Sequence, residues 1–222
     1  MNRRNYEQAA RVEEMRIERI GDATLLNCDC MEYMATLPDK AFELAIVDPE
    51  FGIGIGSSPR LVTDKGLQAK AWDDKPIDPA YFVELFRVSN HQIIWGGNYY
   101  PLPANKHCVI WDKLQPENMS FGMFDYAWTS FDGANKIFRR SVQDEKGKIH
   151  PTQKPVKLYE WLLINYAKSG DRILDTHLGS MSSVIACANL GFEITGCELD
   201  ADYFDAGCKR VVDSLRQERM FA

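Results

Sequence analysis

Nowhere in these 222 residues does an apolar stretch approach the roughly 18 positions that a membrane-spanning helix needs. The opening Met1-Asn2-Arg3-Arg4 has no apolar region behind it, so no secretory leader is expected and the protein is expected to stay in the cytoplasm. Six cysteines occur, at 28, 30, 108, 187, 197 and 208, mostly in apolar surroundings that suit reduced, buried thiols. Cys28-x-Cys30 has no second Cys or His pair at zinc spacing, so no metal site is expected. Internal repeats and low-complexity segments are absent. So is any excess of basic charge, since the net charge of −6 argues against a uniformly DNA-binding surface.

What is present reads as one α/β domain spanning 1–222, with an ordinary hydrophobic share of 45% and charged share of 26%. Seven strand-like runs are expected, at 23–27, 42–47, 92–95, 108–111, 125–129, 172–175 and 192–198. Helices are expected to alternate with them, through Met34, from Asp78-Pro79 to Ser89, from Pro155 to Lys168, from Ser182 to Leu190, and from Asp202 to about Arg216. That alternation predicts a mostly parallel sheet covered on both faces. Residues 1–20 are loosely amphipathic and read as an N-terminal helical arm. The charge is uneven. Residues 136–157 hold seven lysines and arginines against two acids, a local +5 that leaves −11 for the remaining chain. Such a strip suits either a phosphate-contacting edge or a solvated loop. The long Gly-, Ser-, Pro- and Lys-rich 55–77 segment and the 112–150 region are candidate DNA-contacting loops.

The most telling feature is Asp48-Pro49-Glu50-Phe51, which ends the apolar run Leu44-Ala45-Ile46-Val47 and leads into a glycine-rich turn. A carboxylate can accept a hydrogen bond from an amino group, and a ring offers a face for a planar base. Asp175-Thr176-His177-Leu178-Gly179-Ser180 also follows a strand and opens a helix, where open α/β sheets bind ligands. It lacks the Gly-x-Gly-x-x-Gly turn of a dinucleotide site, which suits a cofactor without phosphate.

These segments resemble the S-adenosylmethionine-dependent DNA amino-methyltransferases. The resemblance rests also on Asn27-Cys28-Asp29-Cys30-Met31-Glu32, Ile94-Trp95-Gly96-Gly97-Asn98-Tyr99 and His150-Pro151-Thr152-Gln153-Lys154-Pro155, and it spans 23 to about 200 in the circularly permuted order called beta. It implies a Rossmann-like, seven-stranded, mostly parallel sheet with helices on both faces and an antiparallel hairpin at one edge. By resemblance, Asp48 and the Pro49 carbonyl accept the amino hydrogens of a flipped base, and Phe51 stacks on it. S-adenosylmethionine is the implied cofactor. Glu198 matches the acid for the ribose hydroxyls, Asp29 lies near the adenine amine, and Lys154 closes over the methionine end. The loop residues Asp175, His177, Leu178, Gly179 and Ser180 wrap that end. Competing roles are a helix cap for Asp29, a turn cap for Asp175, a strand-end cap for Asp48 and a surface position for Glu198. Double-stranded DNA is the implied partner, and dimerisation is common in the class. Adenine and cytosine are both compatible with the motifs, and closeness to small adenine enzymes favours adenine.

Two departures fall inside the sites. Glu50 replaces a usual second proline, and Met181 a usual glycine. Glu50 is expected to add charge beside the base, and Met181 to resist the backbone conformation that glycine permits. A non-catalytic DNA-binding or regulatory relative is therefore the alternative reading.

Overall fold

The computed structural model describes residues 15–57, 70, 72–118, 122–144 and 147–221, the side chains of the last four excepted. Among these described residues nine strands form one sheet, two more than expected. The strands are β1 (Arg16–Ile20), β2 (Ala23–Asn27), β3 (Phe42–Val47), β4 (Ser89–Trp95), β5 (Cys108–Asp112), β6 (Phe124–Thr129), β7 (Lys136–Arg139), β8 (Ile173–Asp175) and β9 (Ile194–Cys197). Their spatial order is β1-β2-β9-β8-β3-β4-β6-β5-β7. From β2 to β4 all neighbours run parallel, while β1, β6 and β5 bring the antiparallel pairings.

Both additional strands correct the sequence reading. Residues 16–20 form an edge strand on β2 rather than the end of a helical arm, and residues 1–14 of that arm lie outside the described residues. Burial alternates from Ile17 to Ile20, exposed and half-buried in turn, although the charged Glu18 and Arg19 are neighbours and break the charged–apolar alternation of a strand. At the other edge, β7 pairs parallel with β5, so the β5–β6 hairpin is one strand in from the edge. β7 opens the basic segment read as loop; its four residues alternate in burial, half-buried and exposed in turn.

The helices are α1 (Cys30–Met34), α2 (Ala80–Val88), α3 (Val156–Tyr166), α4 (Ser182–Leu190) and α5 (Ala201–Phe221). They cover both faces. On β3, Leu44 and Ile46 pack with Leu158 and Leu162 of α3, Val184 and Ile185 of α4 and Phe204 of α5. Ala45 and Val47 point the other way, toward Met34 of α1 and Tyr81 and Leu85 of α2. A strand buried on both sides needs an unbroken apolar run, which is why 44–47 has no polar residue.

Met181 immediately precedes α4 at φ 57°, the left-handed conformation expected of glycine. Its side chain is fully buried and does not line the large cleft described below. It lies on Gly207 of α5, where an added Cβ would sit 2.7–2.9 Å from the Met181 side chain. The left-handed cost, about 1 kcal/mol, is offset by burying the methionine in space that Gly207 leaves. Gly207→Ala is therefore expected to lower stability in the native chain by overpacking. In a Met181→Gly background the same change should raise stability by about 1 kcal/mol through helix propensity, a reversal of sign that paired denaturant melts will read.

Candidate active site

β3, β4, β8 and β9 end at the same edge of the sheet, where the next residues are Asp48, Gly96, Thr176 and Glu198. A cleft of about 1510 Å³ runs along this edge. Asp29, Asp48, Pro49, Phe51, Lys154, His177, Leu178, Gly179, Ser180 and Glu198 all line it. Asp175 does not.

At one end stands Asp48. Its Oδ2 pairs with the ammonium of Lys154, which is 4% exposed and lies 5.3 Å over the Trp95 ring. Oδ1 is buried without a hydrogen-bond partner among the described residues. Burial pushes the Asp48 carboxyl above its ordinary range, and Lys154 pulls it back. Lys154 is thus an inward-facing cation and leaves the basic strip to which its sequence neighbours belong. The Tyr100 hydroxyl donates to the Pro49 carbonyl at 2.8 Å, with a longer contact to the Glu50 carbonyl at 3.1 Å. The Phe51 ring stacks on Tyr99, with centroids 5.0 Å apart and planes 16° from parallel. Gly96 sits at φ 69°, and a side chain there would collide with the Phe51 ring. After Phe51 the chain is held by Asp73, which is buried and accepts the N–H groups of Gly52 and Ile55 at 2.9 Å each.

Glu50 is not an isolated charge. Its Oε2 lies 3.4 Å from His177 Nε2. The Glu50 carboxyl is pushed up by burial but held below its usual range by His177, and His177 is raised by Glu50 against the opposing effect of burial. His177 Nδ1 contacts Thr176 Oγ1 at 2.9 Å, and Thr176 meets the buried Tyr81 hydroxyl at 2.5 Å.

At the other end, Asp175 is 2% exposed and works inside the loop. It accepts the His177 N–H at 3.1 Å and the Ser183 hydroxyl at 2.6 Å, and burial pushes its carboxyl up to about 6. The competing role of turn cap is what the geometry supports for it. Glu198 accepts the N–H of Gly179 at 2.7 Å and of Asp200 at 2.9 Å, tying the loop to the end of β9. Asp29 caps α1, accepting the Met31 N–H at 2.7 Å, while also lining the cleft. His150 covers the loop, with its ring 4.4 Å from Tyr203 and 5.2 Å from Trp72; burial pushes it down to about 3, so it is neutral. Of the candidate DNA-contacting loops, 58–69, 71, 119–121 and 145–146 lie outside the described residues.

Sequence reasoning missed Asp73, Tyr100 and the Glu50–His177 pair. Tyr99 belongs to a motif it quoted without a role. Asp73 and Tyr100 reach the site only through long-range contacts, so no local pattern marks them.

One cleft along the carboxyl ends of a permuted, mostly parallel sheet is the architecture of class I methyltransferases. Solved structures that share this fold include the M1.HpyAVI–SAM complex, with a TM-score of 0.59 at 20% identity over 85% of this chain and 99% of that one. PvuII DNA methyltransferase, described as cytosine-N4-specific, also gives a TM-score of 0.59, at 12% identity over 88% and 92% of the two chains. At such identities the likeness is one of fold. In sequence, the type II methyltransferase M2.DpnII of Streptococcus pneumoniae is 35% identical over 147 residues, 66% of this chain but only 51% of that relative. The model of the DNA methylase family matches residues 72–209, well over half of the chain. The chain belongs to the DNA methylase family.

Proposed function

We propose that the chain is an active DNA amino-methyltransferase that uses S-adenosylmethionine and acts on an exocyclic amine, N6 of adenine ahead of N4 of cytosine. The observation that carries this reading is the buried Oδ1 of Asp48, which has no hydrogen-bond partner among the described residues and belongs to a residue that lines the same cleft as Phe51 and the 176–180 loop. A buried acceptor without a donor is costly, and an amino group satisfies it.

When bound, S-adenosylmethionine supplies an electrophilic methyl group on a sulfonium. The cleft suits a cationic cofactor, since Asp29, Glu50 and Glu198 line it. Glu198 takes the ribose hydroxyls, Asp29 the adenine amine, and Lys154 with the 177–180 loop the methionine end. Asp175 shapes the loop from behind rather than touching the cofactor.

Asp48 Oδ1 accepts one hydrogen of the target amine and the Pro49 carbonyl the other. Tyr100 fixes the direction of that carbonyl, which keeps a second lone pair. Drawing both hydrogens from the ring plane frees the nitrogen lone pair for attack. Phe51 stacks on the base, which must leave the helix to arrive there. Orientation and electrostatics supply the catalysis, with no covalent enzyme intermediate. The partner is double-stranded DNA and the proposed place of action is the cytoplasm. Among the described residues no helix is long and apolar enough to cross a membrane. The non-catalytic alternative rested on Glu50 and Met181. The pairing of the first with His177 and the inward packing of the second both favour the catalytic reading.

Calorimetric titration with S-adenosylmethionine tests the cofactor half. The native chain is expected to bind in the micromolar range, and Met181→Gly to bind comparably, because Met181 faces the core. No binding by the native chain would overturn the reading. Nucleoside mass spectrometry of treated genomic DNA then distinguishes N6-methyladenine from N4-methylcytosine, and sequencing maps the modified site.

A further inference from the structure

Leu114 breaks the ordinary rules of both burial and backbone geometry. It follows β5, at the start of the segment that leads to β6, and holds φ 52°. That conformation is imposed locally. The Leu114 N–H donates to Asp112 Oδ1 at 2.9 Å, and the Lys113 N–H donates to the Met123 carbonyl at 2.9 Å. Glycine or asparagine adopts this backbone at little cost. The chain instead keeps a large apolar side chain there and leaves it 57% exposed. A strained residue that contributes little to the core points to function.

Its position says which function. β5 runs antiparallel to β6, and β6 antiparallel to β4, so the turn between β5 and β6 leaves the sheet at the edge where the cleft lies. Leu114 lines that cleft. Lys113 beside it pairs with Asp125 at 2.7 Å, and Asp125 is close enough to raise the Asp48 carboxyl. Met123 and Phe124, across the hairpin, are exposed too and extend the apolar rim. A base drawn toward Asp48 leaves an apolar gap in the stack. A nearby exposed leucine can fill that gap, as inserted apolar side chains do where proteins unstack DNA.

We propose that Leu114 is a wedge that enters the duplex as the target nucleotide leaves it, a positioning residue rather than a catalytic one. The inference rests on the DNA methyltransferase reading above. Its test uses the purified full chain, labelled S-adenosylmethionine and two duplexes carrying the mapped site. In one the target base is paired; in the other it lies opposite an abasic position. Leu114→Gly relieves the left-handed strain, so its melting temperature is expected to hold or rise. On the paired duplex its kcat/KM is expected to fall roughly tenfold to a hundredfold. On the abasic duplex, where no pairing resists extrusion, it is expected to match the native chain within about twofold. Leu114→Met, which keeps the apolar bulk, should retain the native rate on both. A native rate for Leu114→Gly on the paired duplex, or an equal loss on both, overturns the wedge and leaves the methyltransferase reading standing. A native chain that methylates neither duplex overturns that reading and the wedge with it.

Discussion

Asp48→Asn is expected to lower methyl transfer by about two to three orders of magnitude, the usual loss when one preorganised polar group at a reacting centre is removed. The amide keeps one acceptor oxygen but no negative charge, so its pull on the amino hydrogens is weaker. Lys154→Met isolates the electrostatic part of the argument. In the proposed mechanism Asp48 acts as a carboxylate. Burial raises its pKa and the Lys154 ammonium lowers it. Without Lys154 the pKa rises further, so the acid limb of the pH–rate profile should move upward. Lys154→Met should then recover activity as the pH is raised, whereas Asp48→Asn should stay depressed at every pH. An acid limb that does not move in Lys154→Met would mean that Lys154 serves only the cofactor and leaves the charge of Asp48 untouched.

The placement of these residues could only partly be read from the chain. Asp48, Phe51, Glu198 and the 176–180 loop were legible because each sits where an apolar run ends, and strand ends in an open sheet converge on one edge. The central strands were legible because burial on two faces demands uninterrupted apolar runs. The edge strands were not. β1 is only five residues long and its isoleucines, 17 and 20, are three apart, so in a longer window that also contains Tyr6, Ala9, Ala10 and Val12 it reads as a loose helical stripe. β7 is short, partly exposed and embedded in a basic segment, and its neighbour β5 decides its structure. The same holds within the site. Lys154 belongs by sequence to a basic strip and by structure to Asp48, 106 positions away. Met181 looked hostile to its loop because its partner Gly207 lies on another helix.

Glu50 and His177 make the sharpest case, because Glu50 looks harmful until His177 is considered. His177→Phe leaves the Glu50 carboxylate in the cleft without its cation. The expected cost is about 2–3 kcal/mol of stability, below the usual range for a broken buried pair because Glu50 still reaches cleft water. Glu50→Pro alone strands the imidazole, which can lose its proton and so costs less. The double replacement removes both charges and should recover much of the loss, with a coupling of about 1–3 kcal/mol. The pH dependence has a defined sign. His177 is raised from an ordinary 6.5, so its contribution is complete below that value and fades as the pH climbs through the folded one. Glu50 is lowered from 4.5, so its contribution holds above that value and fades as the pH falls through the folded one. The stability gap between the native chain and the double variant should therefore be widest from about 4.5 to 6.5 and should narrow on either side. Additive losses and a flat gap would mean that the two residues are neighbours without being partners. Glu50 would then again be an uncompensated charge beside the base, and the non-catalytic reading would regain its force.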